Sequence, residues 1–146
     1  MNPHAMTQRL IDRDGAMVVA APALDAWMQR PGEHVLFFSG DSLRFPEGVD
    51  VAAVLPQLRA AFDGRFDIGV VPREHEDEIA RRFGVQRWPC LVFLRGCGYL
   101  GAISGMQDWG DYLSLIGSLF EREPARTPGI GIPVVAANAV GGRACH

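Results

Sequence analysis

Phe83-Gly-Val-Gln-Arg-Trp-Pro89-Cys-Leu-Val-Phe-Leu94 is the stretch on which the fold turns. Glu74–Phe83 just before it places Ile79 and Phe83 on one helical face, and Gly84 supplies the stop that a glycine gives at a helix C-terminus. Trp88–Leu94 then reads as an apolar strand entered through Pro89, with the composition of a strand buried on both faces. Arg95-Gly-Cys-Gly98 follows as a hairpin turn, and Tyr99–Ser104 as the return strand. A helix, a proline-led buried strand and an antiparallel partner thus lie next to one another in sequence.

Working outward, Met6–Arg13 reads as a short helix ended by Asp14-Gly15, and Met17–Ala20 as a short strand. Pro22 falls in the first turn of a helix carrying Leu24, Trp27 and Met28, which Pro31-Gly32 stops. His34–Ser39 is a second buried strand, Gly40–Gly48 a loop, and Val49–Phe62 a helix with Val51, Val54, Leu55, Leu58 and Phe62 inward and Pro56 as an internal kink. Phe66–Val71 is a third strand. Beyond the hairpin, Asp108 stands at an N-cap position before Trp109, Tyr112, Leu113, Ile116, Leu119 and Phe120, and Pro124 closes that helix. The order is β-α-β-α-β-α-β-β-α. Crossovers make the first strands parallel and the hairpin makes one pair antiparallel, so the expectation is an α/β, thioredoxin-like fold with a mixed sheet flanked by helices. Residues 1–122 form the domain, and residues 123–146, where helical and strand periods are lost, form a flexible tail.

A chain of 146 residues can bury a core without disulfide or metal staples. Its net charge of −3 argues against general nucleic-acid binding. All 14 basic residues are arginine, which excludes chemistry that requires a lysine, such as a Schiff base or a P-loop. No apolar run approaches the roughly 20 residues that span a membrane. The first residues carry no apolar export segment, so a cytoplasmic protein is expected. Cys90, Cys97 and Cys145 show neither C-x-x-C nor zinc spacing, and their odd number suggests free thiols. With residues 91–94 extended, the Cα atoms of Cys90 and Cys97 lie roughly 20 Å apart, too far for a disulfide, whereas Cys145 on the tail could reach either, a pairing that reads as an oxidation artefact. The four histidines are scattered at 4, 34, 75 and 146. No metal or cofactor is expected.

The segment ending in Trp88-Pro89 before an apolar strand resembles the one that leads to the cis-proline of thioredoxins, which implies a cis Trp88-Pro89 bond and an exposed edge that grips extended peptides. The redox motif should follow His34–Ser39. Ser39-Gly-Asp-Ser-Leu-Arg-Phe-Pro46 stands there instead, without a cysteine, and Phe37 or Phe38 occupies the place of the buried acid that thioredoxins carry in the preceding strand. Disulfide exchange needs an attacking thiolate and a resolving thiol, and this loop has neither. Arg82-Phe-Gly-Val-Gln-Arg-Trp-Pro89, Leu91-Val-Phe93, Gly98-Tyr-Leu-Gly101, Gly105 and Trp109, together with the cysteine-free loop at Asp41 and Phe45-Pro46, resemble the HyaE/HupG/HoxO group of hydrogenase expression proteins. The resemblance covers roughly residues 6–122. Cys90 departs from it, standing where a small residue such as Ala or Thr is expected.

The resemblance implies a non-enzymatic chaperone in the maturation of an uptake [NiFe] hydrogenase. Its partner would be the iron–sulfur-carrying small-subunit precursor with its twin-arginine signal peptide. Residues placed for partner contact are Trp88, Pro89, Asp41, Phe45 and Trp109, with the acidic run Glu74, Glu76, Asp77 and Glu78 able to attract arginines. Each has a plainer reading. Trp88 and Trp109 could be core, and acids at a helix start complement the dipole. A rival function is a thiol oxidoreductase using Cys90 alone, which requires a depressed thiol pKa; Cys90 also reads as a small buried hydrophobe. A third is an oligomeric module built on the tail.

Overall fold

The computed structural model describes residues 3–41 and 43–125. Five strands form one mixed sheet: β1 Met17–Val18, β2 Glu33–Phe38, β3 Phe66–Val70, β4 Cys90–Arg95 and β5 Gly98–Ser104. Their order across the sheet is β1-β3-β2-β4-β5. β3 pairs parallel with both β1 and β2, whereas β2–β4 and β4–β5 are antiparallel. The helices are α1 Pro3–Asp14, α2 Leu24–Met28 after a 3-10 turn at Ala21–Ala23, α3 Glu47–Ala61, α4 Glu76–Phe83 after a 3-10 turn at Arg73–His75, and α5 Trp109–Phe120. This is the expected α/β, thioredoxin-like architecture.

Side-chain alternation along the two central strands divides the core. Val35 and Phe37 of β2 and Leu91 and Phe93 of β4 face one side, where they pack with Leu55 and Leu58 of α3 and Tyr112 and Ile116 of α5. Leu36 and Phe38, with Val92 and Leu94, face the other side, against Trp27 and Met28 of α2 and Ile79 and Phe83 of α4. Both faces of both strands are covered, which is why each reads as an unbroken apolar run.

The boundaries differ from the sequence reading in informative places. α3 begins at Glu47, so the loop after β2 is shorter than expected. The helix runs through Pro56, where a missing N–H forfeits one intrahelical bond. β4 starts at Cys90 rather than Trp88. Asp108 occupies the N-cap position of α5 in an extended conformation, yet its side chain makes no capping bond; its carbonyl accepts from the Tyr112 amide at 3.0 Å. Of the expected tail, residues 123–125 are described, and there Ala125 exchanges two backbone hydrogen bonds with Tyr99, at 2.8 and 2.9 Å. The rest of that expectation, residues 126–146, lies outside the described residues. Among the described residues no helix is long and apolar enough to cross a membrane.

Candidate functional site

At one end of the sheet β2 stops, β4 starts and β5 finishes, with Phe38 opposite Cys90 and Cys90 opposite Ser104. The connecting segments 39–41 with 43–46, 86–89 and 105–108 therefore meet there. The Trp88-Pro89 bond is cis. The Pro89 carbonyl accepts from the Gly105 amide at 2.8 Å, and the buried Tyr112 hydroxyl donates to the Gly105 carbonyl at 3.2 Å, tying the last loop to the first turn of α5. Among the described residues, neither the N–H nor the C=O of Trp88 takes part in a backbone hydrogen bond. Spare main-chain groups are thus left in the bend beside the proline.

The loop after β2 is held in shape by local bonds. The Phe45 and Arg44 amides donate to the Asp41 carbonyl at 2.7 and 3.1 Å, and the Leu43 amide donates to the Asp41 carboxylate at 3.0 Å. Asp41 thus serves the loop's own turn. Leu43 stands out from this turn with 91% of its surface exposed. Phe45 is half-buried, its ring 6.2 Å from that of Trp88. Gly40 is left-handed, with φ of 76°. A Cβ there would come within 2.9 Å of Phe45 Cδ2 and 3.0 Å of Trp88 Cβ, so both the conformation and the space require glycine.

One sequence expectation fails here. Glu76 is not a surface acid but fully buried, and Trp88 Nε1 and Arg73 Nη1 donate to its Oε1 at 3.1 and 2.7 Å while the Gly40 amide donates to Oε2 at 3.1 Å. Burial pushes its pKa up, and the three donors pull it back down. The acidic surface is therefore Glu74, Asp77 and Glu78, all exposed around the start of α4. His75, between them, is committed to structure: its Nδ1 accepts from the Ala21 amide at 2.8 Å. Trp88 is half-buried, Pro89 is buried, and Trp109 opens α5 with 43% exposure, beside exposed Met106 in the preceding loop. Trp109 is thus a surface residue, not a core one.

Cys90 is free and buried. Burial pushes its thiol up to about 11, with the Ser104 hydroxyl 3.8 Å from the sulfur as a weak opposing influence. Such a thiol is essentially all protonated near neutral pH, the opposite of what an attacking group needs. The expectation of free thiols does not extend to Cys97, which is disulfide-bonded. No cluster of three or more metal-ligating side chains occurs among the described residues.

A thioredoxin fold with a cis-proline edge and no cysteine in the loop facing it defines a thioredoxin-like protein without the dithiol motif. A mutant thioredoxin from Halobacterium salinarum shares the fold at a TM-score of 0.59 and 20% identity, over 75% of this chain and 93% of that one. More specifically, the chain belongs to the family described as Hydrogenase-1 expression protein HyaE, which matches residues 6–112. It is 46% identical over 141 residues to the hydrogenase expression/formation protein HoxO of Cupriavidus necator, covering 95% of this chain and 86% of that protein. To HoxO of Azotobacter vinelandii it is 38% identical, over 88% and 86% of the two chains. A crystal structure described as that of a hydrogenase expression/formation protein hupG from Rhodopseudomonas palustris superposes with a TM-score of 0.52 at 39% identity, over 72% of this chain and 94% of that one.

Proposed function

We propose that this protein is a redox-independent, cytoplasmic chaperone in hydrogenase maturation, which binds the small-subunit precursor through its twin-arginine signal peptide. The observation that carries the reading is the edge at Trp88-Pro89. Its spare backbone groups can pair with an extended segment, the mode in which main-chain bonds give affinity and flanking side chains give choice. Leu43, Phe45, Met106 and Trp109 offer apolar contacts around it. Glu74, Asp77 and Glu78 offer the charge that arginines would seek. Membership of a family of hydrogenase expression proteins supports the class of partner.

The rival reading, a single-cysteine oxidoreductase, is disfavoured by the burial of Cys90 and its raised pKa. The test is complementation of a hydrogenase-producing host that lacks this protein. The Cys90→Ala variant should restore hydrogenase activity to the wild-type level. A loss of activity with the variant folded and abundant would instead assign the thiol a chemical role.

A further inference from the structure

Glu76 is a buried charge to which the reading above gives no task. Its carboxylate is fully enclosed, and the donors on it come from three separate segments: the Gly40 amide from the loop after β2, Arg73 from the turn before α4, and the Trp88 indole from beside the cis-proline. An ionised carboxylate accepts on both oxygens and presents no hydrogen, so it can take all three bonds at once. A glutamine would have to turn its NH2 toward at least one donor. Two of the three donors are the groups that shape the binding edge.

We propose that Glu76 is a positioning residue, whose carboxylate fixes the Gly40 amide and the Trp88 indole against each other and so pre-forms the edge that receives an extended partner segment. The inference rests on the reading of function given above. Gly40 begins the loop that carries Leu43 and Phe45, and the Phe45 and Trp88 rings lie 6.2 Å apart, so both walls of the edge hang from one side chain. With the carboxylate gone, the indole and the start of the loop gain freedom that a partner must remove on binding, and affinity falls.

The experiment records amide and indole resonances of the full chain by 1H–15N NMR and measures affinity for the small-subunit precursor, for wild type, Glu76→Gln, Trp88→Phe and the double variant. Glu76→Gln should move the Gly40 amide and Trp88 indole signals while the β2–β4 amides stay in place, and should weaken binding by about tenfold. Trp88→Phe keeps an aromatic ring, removes the indole N–H, and should shift the Gly40 amide through the shared carboxylate while weakening binding severalfold. The double variant should bind no more weakly than Glu76→Gln alone, because both changes remove one linked contact. Ile79→Val, a core change on the same helix, lowers stability and should leave both signals and the affinity unmoved.

The inference is overturned if wild type binds and Glu76→Gln binds equally well, if its losses simply add to those of Trp88→Phe, or if neither signal moves. Should Glu76→Gln not fold, Trp88→Phe decides alone: an unmoved Gly40 amide with unchanged affinity overturns it. Failure of wild type itself to bind is a different result, which removes the reading of function and the recognition role of Glu76 with it.

Discussion

The carboxylate of Glu76 and the amide of Gly40 meet at 3.1 Å across 36 positions of sequence, joining the start of α4 to the loop that follows β2. That loop is where a thioredoxin would hold its dithiol. Here it is shaped by a buried acid, an Asp41 turn and a left-handed glycine, and it presents Leu43 and Phe45 in place of sulfur.

Gly40 is the position in this loop least able to change. Gly40→Ala places a methyl group 2.9–3.0 Å from Phe45 and Trp88 in a conformation that L-residues avoid. The variant should lose about 1–3 kcal/mol of stability, read as a lower urea midpoint at unchanged m-value.

Cys90 should be inert in the native protein. With its thiol at about 11 and its side chain enclosed, native protein at pH 8 should leave Cys90 unlabelled by iodoacetamide over hours, and unfolding in guanidinium should expose it to complete labelling. Peptide mapping by mass spectrometry identifies the site. Rapid native labelling of Cys90 would revive the oxidoreductase reading.

His34 should make the fold acid-sensitive. Burial beside Trp27 lowers its pKa, with the Met28 carbonyl 3.3 Å from Nε2 pulling the other way. A histidine depressed in the folded state contributes stability fully present above its unfolded pKa of about 6.5 and lost as pH falls from there through the folded value. Glu76 runs oppositely: raised by burial, its contribution is complete at low pH and lost as pH rises through its folded value. Comparing wild type with His34→Leu cancels the Glu76 effect. The unfolding free energy of wild type should fall relative to the variant between pH 8 and pH 5.5, measured by urea titration at each pH.

The exposed acids around the start of α4 should act on association more than on folding. Neutralising Glu74, Asp77 and Glu78 together, as Glu74→Gln/Asp77→Asn/Glu78→Gln, should slow association with the signal-bearing precursor severalfold and flatten its salt dependence. The same change should cost at most about 1–3 kcal/mol of stability from the helix dipole. An unchanged on-rate at low salt would remove these residues from the partner surface.

Much of this is legible in the sequence because the core obeys simple periods. The unbroken apolar runs of β2 and β4, the Gly84 stop and the Tyr112-Ile116-Leu119 stripe each follow from one local rule. The cis Trp88-Pro89 bond is legible only through family resemblance, since it leaves no local signal beyond the proline. Glu76 is hidden because it sits in an acidic run, which usually means a solvated helix start. A signal does exist: Glu76, Ile79, Ala80 and Phe83 are spaced as one helical stripe, and all four are buried. The Gly40 donor cannot be seen, because it is distant in sequence and a backbone amide has no letter of its own.

The most direct measurement is the affinity of the purified full chain for the cognate hydrogenase small-subunit precursor, with and without its twin-arginine signal peptide, by isothermal titration calorimetry. Binding should be tight to the signal-bearing form, weaker by roughly tenfold without the signal, and unchanged in Cys90→Ala. Equal affinity for both forms would contradict signal reading, and no binding to either would contradict the chaperone function itself.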